Sequence, residues 1–488
     1  MTHQSWNPAA LPSRRTVLSA AVAATGVAAA GPLVGPAPAH AAPGPGHGGG
    51  RAGDFPAGRP PTAQEPSADL SALLRQIDPA RIEATVRRLV AFGTRHTLSS
   101  QTDPQRGIGA ARDWLFEQYQ AIAATSGGRM TVEKQSFVQQ PASRIPTATV
   151  ITNVVATLRG SSDPNRTYVV SGHYDSRVTD IMNSTNDAPG ADDDASGVAV
   201  ALELARVMAI RRPEATIVFA AVAGEEQGLF GSTHLAQVFK DQGADVQGMF
   251  TNDIVGSSTA DDGTRDRRTV RLFAEGVPTS ETPREASIRQ SVGGENDSPA
   301  RQLARFVREV ADNDATRMDV RVIYRRDRFL RGGDHIPFLE QGWPAARFTE
   351  PHEDFRHQHQ DNRVVDGVQF GDLPQFCDFT FVAGVARVNG AALWSLATAP
   401  GTPRNVKVLT AALTNKTELV WDHGADADLA GYEVVIRETT APEWQHVVRV
   451  GDVTRVTLDQ SKDNVFFGVR AVDSKRRHSP TAFPVPQS

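Results

Sequence analysis

The chain has 488 residues, 40% of them hydrophobic, with a formal net charge of −5 and one cysteine. That length predicts more than one domain and ample apolar material for a core. The acidic balance, with no basic stretch interleaved with aromatics, excludes nucleic acid as a partner. Cys377 stands alone, which excludes an intrachain disulfide and reads as a small core residue.

Residues 1–41 read as an export signal. Arg14-Arg15 precedes an apolar, Ala-rich run, and Ala39-His40-Ala41 has the small-residue pattern of a cleavage site. This twin-arginine pattern predicts a secreted protein, extracellular or associated with the cell wall, with no stable membrane anchor after cleavage. No later segment is expected to span a bilayer. Residues 42–68 are rich in Pro and Gly and predict a disordered linker or propeptide.

A first domain is expected over 69–399. Asp78-Pro79 is an N-cap with Pro at the first helical position, and that helix runs to about residue 91. A second helix covers about 104–124. Residues 130–139 and 149–158 alternate like strands. Thr167–Ser171 and Ala215–Val222 are buried-strand runs, with a helix over Ser196–Ile210 between them. A strand near 269–274, a helix near 299–311, a strand near 319–324 and a short helix opening at Gly332-Gly333-Asp334-His335 follow. A long helix over 373–396 closes the domain. Strands alternating with helices predict an α/β fold, a three-layer α/β/α domain with a mostly parallel mixed sheet. From about 402 to 488 the texture becomes short alternating strands, predicting a small all-β sandwich domain in which Trp421 and Tyr432 are core residues.

The chemistry collects at the ends of these elements. His173 and Asp175 lie just past one strand, Asp192–Asp194 at a helix N-terminus, and Glu225-Glu226 after the next strand. Taken singly, an aspartate run reads as an N-cap cluster and a Glu pair as a solvated turn. Three such pieces in one βαβ unit, where ligand crevices form, read instead as a metal site. One imidazole among several carboxylates suits zinc, with manganese or cobalt as further options.

These pieces, Val169-Val-Ser-Gly-His-Tyr-Asp175, Gly190-Ala-Asp-Asp-Asp-Ala-Ser-Gly197 and Ala223-Gly-Glu-Glu-Gln-Gly228, resemble the di-zinc exopeptidases typified by bacterial leucyl aminopeptidase and aminopeptidase Y. The resemblance covers roughly 69–399. It implies two Zn2+ per chain, with His173, Asp193, Glu226, Asp253 and His357 as ligands and Asp193 shared by both ions. His357, four residues before Asp361, is preferred over His359 on that spacing. Glu225 is the implied general base, acting on a water shared by the two ions, and Asp175 orients the His173 ring. Asp334 and His335 are assigned to the pocket wall or to the groups behind the ligands. The tyrosine that assists some members has no placed counterpart here; Tyr324 is the nearest candidate. Trp421, Gly431-Tyr432 and Phe467–Asp473 resemble a fibronectin type III domain, whose ligand would be wall material or another extracellular partner.

The expected function is therefore a secreted zinc aminopeptidase acting on the N-terminal bond of peptide substrates. The alternatives are a carboxypeptidase with the same ligands, a glutaminyl-peptide cyclotransferase, and an inactive binding or adhesion protein. Arg325, Arg326, Arg328 and Arg331 could hold a terminal carboxylate and keep the carboxypeptidase alternative open.

Overall fold

The computed structural model describes residues 58–487. The export-signal expectation for 1–41 and most of the 42–68 segment lie outside them. Residues from 58 onward are ordered rather than loose. Arg59 forms an antiparallel bridge with Val447, Gln64 accepts a hydrogen bond from the His478 amide at 3.0 Å, and Ser67 caps the first helix. The described part of that segment is therefore docked, which corrects the expectation of disorder there.

Two short helices open the main body, α1 (Ala68–Leu74) and α2 (Pro79–Val90), the latter capped by Asp78 with Pro at its start as expected. After α3 (Ile108–Ala124) come β1 (Met130–Gln139), β2 (Thr149–Leu158), β3 (Asp163–His173), α4 (Ala195–Met208) and β4 (Ala215–Val222). Then follow α5 (Glu225–Gly228), α6 (Phe230–Asp241), β5 (Asp245–Asn252) and β6 (Thr269–Phe273). The body is completed by α7 (Pro283–Val292), α8 (Pro299–Ala311), β7 (Asp319–Ile323), α9 (Ile336–Glu340), β8 (Ala345–Thr349), the hairpin β9 (Arg363–Val365) and β10 (Val368–Phe370), and α10 (Phe379–Thr398).

The eight strands β1 to β8 form one mixed sheet in the order β1-β2-β4-β3-β5-β8-β6-β7. Its centre is parallel: β3 pairs parallel with β4 and β5, and β5 with β8. Every residue of β4 and of β8 is buried, as a central strand covered on both faces requires. One apolar core, including Val170, Leu204, Phe250 and Leu396, lies under α2, α4 and α10. The second, including Val169, Val218, Leu235 and Phe338, lies under α6 and α9. The three-layer α/β/α expectation therefore describes this body. The C-terminal ends of β3, β4 and β5 open on the same edge of the sheet, a crevice built for ligands.

Helix α10 begins later than expected, after a short 3-10 turn at Pro374–Phe376. It is also long and apolar enough to cross a membrane, contrary to the expectation that no later segment would be, but 83% of its apolar window is buried inside the protein. It is a core helix, and Gly390 lets it approach Leu74 and Leu204.

The C-terminal part is two small sheets, β11 (Lys407–Leu409), β12 (Thr417–Val420), β15 (Arg455–Leu458) and β17 (Val485–Gln487) in one, and β13 (Leu429–Glu438), β14 (His446–Gly451) and β16 (Val465–Asp473) in the other. Their shared core includes Leu419, Trp421, Tyr432, Val434 and Val469, separate from the two above. The Trp421 and Tyr432 rings meet at 5.3 Å, inside, as expected of core residues. This sandwich packs against α8. Asp297, fully buried, receives Arg437 at 2.5 Å and Arg305 at 3.2 Å, and Glu309 receives His478 at 2.9 Å.

Candidate metal centre

Each site residue sits where a regular element stops. His173 ends β3, and its neighbour Gly172 must be glycine because a Cβ there would come within 2.4 Å of the Gly197 backbone at the start of α4. Val222 ends β4, Gly224 turns the chain at φ +75°, and Glu225 and Glu226 follow in α5. Asn252 ends β5 and delivers Asp253.

The three consecutive aspartates divide the work. Asp194 caps α4, accepting from the Gly197 amide at 3.1 Å, and also accepts from the His173 amide at 2.9 Å. Asp192 accepts from the Gly256 amide at 2.6 Å. Only Asp193 faces the crevice. Its Oδ1 lies 3.1 Å from His173 Nε2 and its Oδ2 lies 2.8 Å from His359 Nε2.

Two clusters of donor atoms result. His173, Glu225 and Asp253 form one; Asp193, Glu226 and His359 form the other. His359 Nε2 is 3.0 Å from Glu226 Oε1, and His173 Nε2 is 4.0 Å from Asp253 Oδ1. Ligands at zinc distances in a tetrahedron stand about 3.3 Å apart. His359 Nε2 stands somewhat closer than that to Asp193 Oδ2, at 2.8 Å, and to Glu226 Oε1, at 3.0 Å, so small outward shifts would admit an ion. Glu226 Oε1 is buried and accepts no hydrogen bond of good geometry, the His359 ring nitrogen 3.0 Å away being its nearest polar neighbour, so a cation between the two would satisfy it. The residues present therefore fit zinc.

His359 replaces His357 as the last histidine, correcting the expectation drawn from the spacing to Asp361. The segment is an irregular loop. His357 lies flat on Phe376 at 3.5 Å with its Nδ1 3.4 Å from Asp354. His359, in a left-handed conformation at φ +54°, turns back into the crevice. Asp361 instead bonds through its amide to Thr179.

Asp175 holds more than the His173 ring. The His173 Nδ1 bonds the backbone carbonyl of Asp175 at 3.2 Å, with the Asp175 carboxylate further off at 3.6 Å. That carboxylate accepts from the Glu225 and Glu226 amides, at 3.3 and 3.1 Å, and from Thr97. It fixes the α5 turn more than the ring. Asp334 and His335 do not line the pocket; they are buried behind Asp253. His335 Nε2 bonds the Arg326 carbonyl at 2.9 Å, and neither Asp334 oxygen has a partner. Tyr324 is turned away, under Arg301 and bonded to the Pro442 carbonyl.

Supporting groups that the sequence did not single out come from far along the chain. Asp372 accepts from the Asp192 and Asp193 amides at 2.7 and 2.8 Å. Arg347, fully buried on β8, meets Asp253 at 2.7 Å. Gln358 donates to Asp193 Oδ2 at 3.1 Å. Arg95 ties the Tyr174, Pro189 and Gly190 carbonyls together and shapes the loop before Asp192. Such long-range partners leave no local pattern to read.

The electrostatics are those of crowded, desolvated carboxylates. Burial pushes Glu225 well above the ordinary carboxylate range, aided by Asp253 and Glu226 and opposed by His173. Burial also opposes ionisation of Asp193, but His359 and His173 outweigh it and hold Asp193 well below that range. His359 is lowered by burial and raised more strongly by Glu226 and Asp193, to about 10.

The sequence profile described as Peptidase family M28 matches residues 153–365. Over 437 residues the chain is 57% identical to a protein of Pyricularia oryzae described as a probable zinc metalloprotease, covering 88% of this chain and 87% of that one. It is 55% identical over 421 residues to a probable zinc metalloprotease of Leptosphaeria maculans, covering 86% and 98%. Among solved structures, LapB from Legionella pneumophila is similar at 21% identity and a TM-score of 0.49, covering 70% of this chain and 78% of that one. With a relative this close along nearly its whole length, the chain belongs to peptidase family M28 and is a zinc metallopeptidase.

Proposed function

We propose that the chain is a two-zinc aminopeptidase. The observation that carries this is the orientation of Asp193, with one carboxylate oxygen toward His173 and the other toward His359. In this reading His173 and Asp253 hold one ion, Glu226 and His359 the other, and Asp193 serves both. Zinc held there polarises a carbonyl and makes bound water acidic near neutral pH. Glu225, grouped with His173 and Asp253, would take the proton from the attacking water and pass it to the departing amine. The amide contacts from Asp175 hold the α5 turn so that Glu225 cannot swing away.

The pocket over these residues has a volume of about 340 Å³, room for the end of a peptide, which supports an exopeptidase. The carboxylate floor supports recognition of a free α-ammonium. The carboxypeptidase reading draws on one observation, that Arg328 and Arg331 stand on the pocket wall. Glutaminyl cyclisation with a single zinc is disfavoured by the presence of a second donor cluster, His173, Glu225 and Asp253. The sandwich with its Trp421 and Tyr432 core is taken as fibronectin type III-like, and residues 1–41 as a secretion signal.

The test combines a variant and a substrate set. Glu225→Gln removes the proton carrier and not a ligand, so zinc content should hold while turnover falls about 10²–10⁴-fold. N-terminal acetylation should stop cleavage and C-terminal amidation should not. Undiminished turnover in the variant, or cleavage of acetylated peptides from the other end, rejects the corresponding half of the proposal.

A further inference from the structure

The pocket above the acidic floor is walled by arginine. Arg144 reaches it from the β1–β2 loop, Arg177 from the segment after β3, and Arg328 and Arg331 from the loop before α9; among the described residues Leu229 is its one large apolar side chain. These cations have little countercharge. Arg328 and Arg331 both contact Glu353, at 3.0 and 2.8 Å, and Arg271 shares the same carboxylate at 3.2 Å; Arg328 also meets Asp327 at 3.3 Å, a carboxylate shared with Arg347. Arg144 makes no ion pair among the described residues, and its one side-chain bond is to the Glu226 carbonyl at 2.9 Å. Arg177 is engaged with Glu226 at 2.9 Å and with the His359 ring.

Resting on the two-zinc reading, the charge count is simple. Asp193, Glu225, Glu226 and Asp253 face the pocket and balance two divalent ions. With Arg177 paired to Glu226, three guanidiniums, Arg144, Arg328 and Arg331, then stand against Glu353, which Arg271 also uses, and Asp327, which Arg347 also uses. A small site walled by surplus arginine is suited to a planar anion, because each guanidinium offers a two-pronged donor to a carboxylate. An unpaired apolar side chain gains little there.

We propose that this pocket selects substrates carrying a carboxylate beside the scissile bond, held by Arg144, Arg328 and Arg331. The carboxylate comes from an acidic side chain or from the free C-terminus of a dipeptide.

The zinc-loaded full chain is tested on three matched pairs: Leu-Glu-amide against Leu-Gln-amide, Leu-Ala against Leu-Ala-amide, and Glu-Ala-amide against Gln-Ala-amide. The readout is the ratio of kcat/KM within each pair. In at least one pair the anionic member should win by roughly tenfold, the scale of one charged hydrogen bond, and that pair identifies the source. The ratio should fall toward one in Arg144→Gln and Arg331→Gln, and Arg331→Lys should keep part of it. Ratios near one in all pairs, or a ratio that survives both Gln substitutions, overturns the proposal while leaving the peptidase intact. If acetylated versions are cleaved with the same anionic preference, the aminopeptidase reading falls and the arginine assignment stands. Should no peptide be cleaved, calorimetry decides: glutamate should bind about tenfold tighter than glutamine, and equal binding overturns the proposal.

Discussion

At the scale of single residues, two histidines two positions apart have opposite environments. His357 is stacked on Phe376, where burial lowers its proton affinity, while His359 sits between Asp193 and Glu226. His359→Ala should therefore lower bound zinc by about one ion per chain under the two-metal geometry, and His357→Ala should leave metal content unchanged. Metal analysis of the two purified variants checks this. The contrast marks the limit of the sequence reading. His173, Asp175, the Asp192–Asp194 run and Glu225-Glu226 stood out as candidates because each lies at the end of a strand or the start of a helix; the choice of Asp193 within its run, and Asp253, came from the family resemblance alone. The last histidine lies in an irregular loop whose direction is set by one left-handed residue, and spacing rules do not operate there.

At the scale of elements, the N-terminus of α4 is held from outside as much as by its own cap. Asp372, in the loop before α10, accepts both the Asp192 and Asp193 amides. An asparagine would turn one acceptor into a donor facing an N–H. Asp372→Asn should cost about 1–3 kcal/mol, the usual penalty for a buried unsatisfied group. It should also weaken zinc binding through Asp193, so thermal unfolding and metal content should fall together. The strands and helices around this junction were visible as periodic runs in the sequence. The contact across it was not, because it joins residues almost two hundred positions apart. Helix α7 and strand β8 were likewise unseen: α7 buries no residue and so has no apolar stripe, and β8 is five buried residues after a turn.

At the scale of the whole molecule, the C-terminal sheets have an apolar core of their own, and charged contacts join them to α8. Burial favours the neutral form of Glu309 on α8, but His478 and Arg470 of the sandwich hold it below the usual carboxylate range; Glu433 is held down in the same way by Arg470 within the sandwich itself. Carboxylates depressed in the folded state add stability that is present above their unfolded value, about 4.3 for Glu, and lost as pH falls through the lower folded values. Acid should therefore loosen the sandwich before it unfolds the mixed sheet. Limited proteolysis across a descending pH series should release a C-terminal fragment first. A chain ending near 399 retains every proposed ligand but loses the Arg437 partner of Asp297, which keeps Arg305, and exposes the face of α8 that the sandwich covers. The shortened protein should melt at a lower temperature than the full chain.

The bridge from Arg59 to Val447 has a further consequence. Strand β14 lies at the margin of its three-stranded sheet, and Arg59 occupies the Val447 amide and carbonyl, at 2.8 and 3.1 Å. An open margin of this kind recruits strands from other molecules. The residues just ahead of α1 thus act as a guard against self-association. Proteolytic trimming that stops before 58 leaves the guard in place; trimming to residue 67 removes it. Protein beginning at 68 should form concentration-dependent assemblies by light scattering, whereas protein beginning at 54 should stay dispersed.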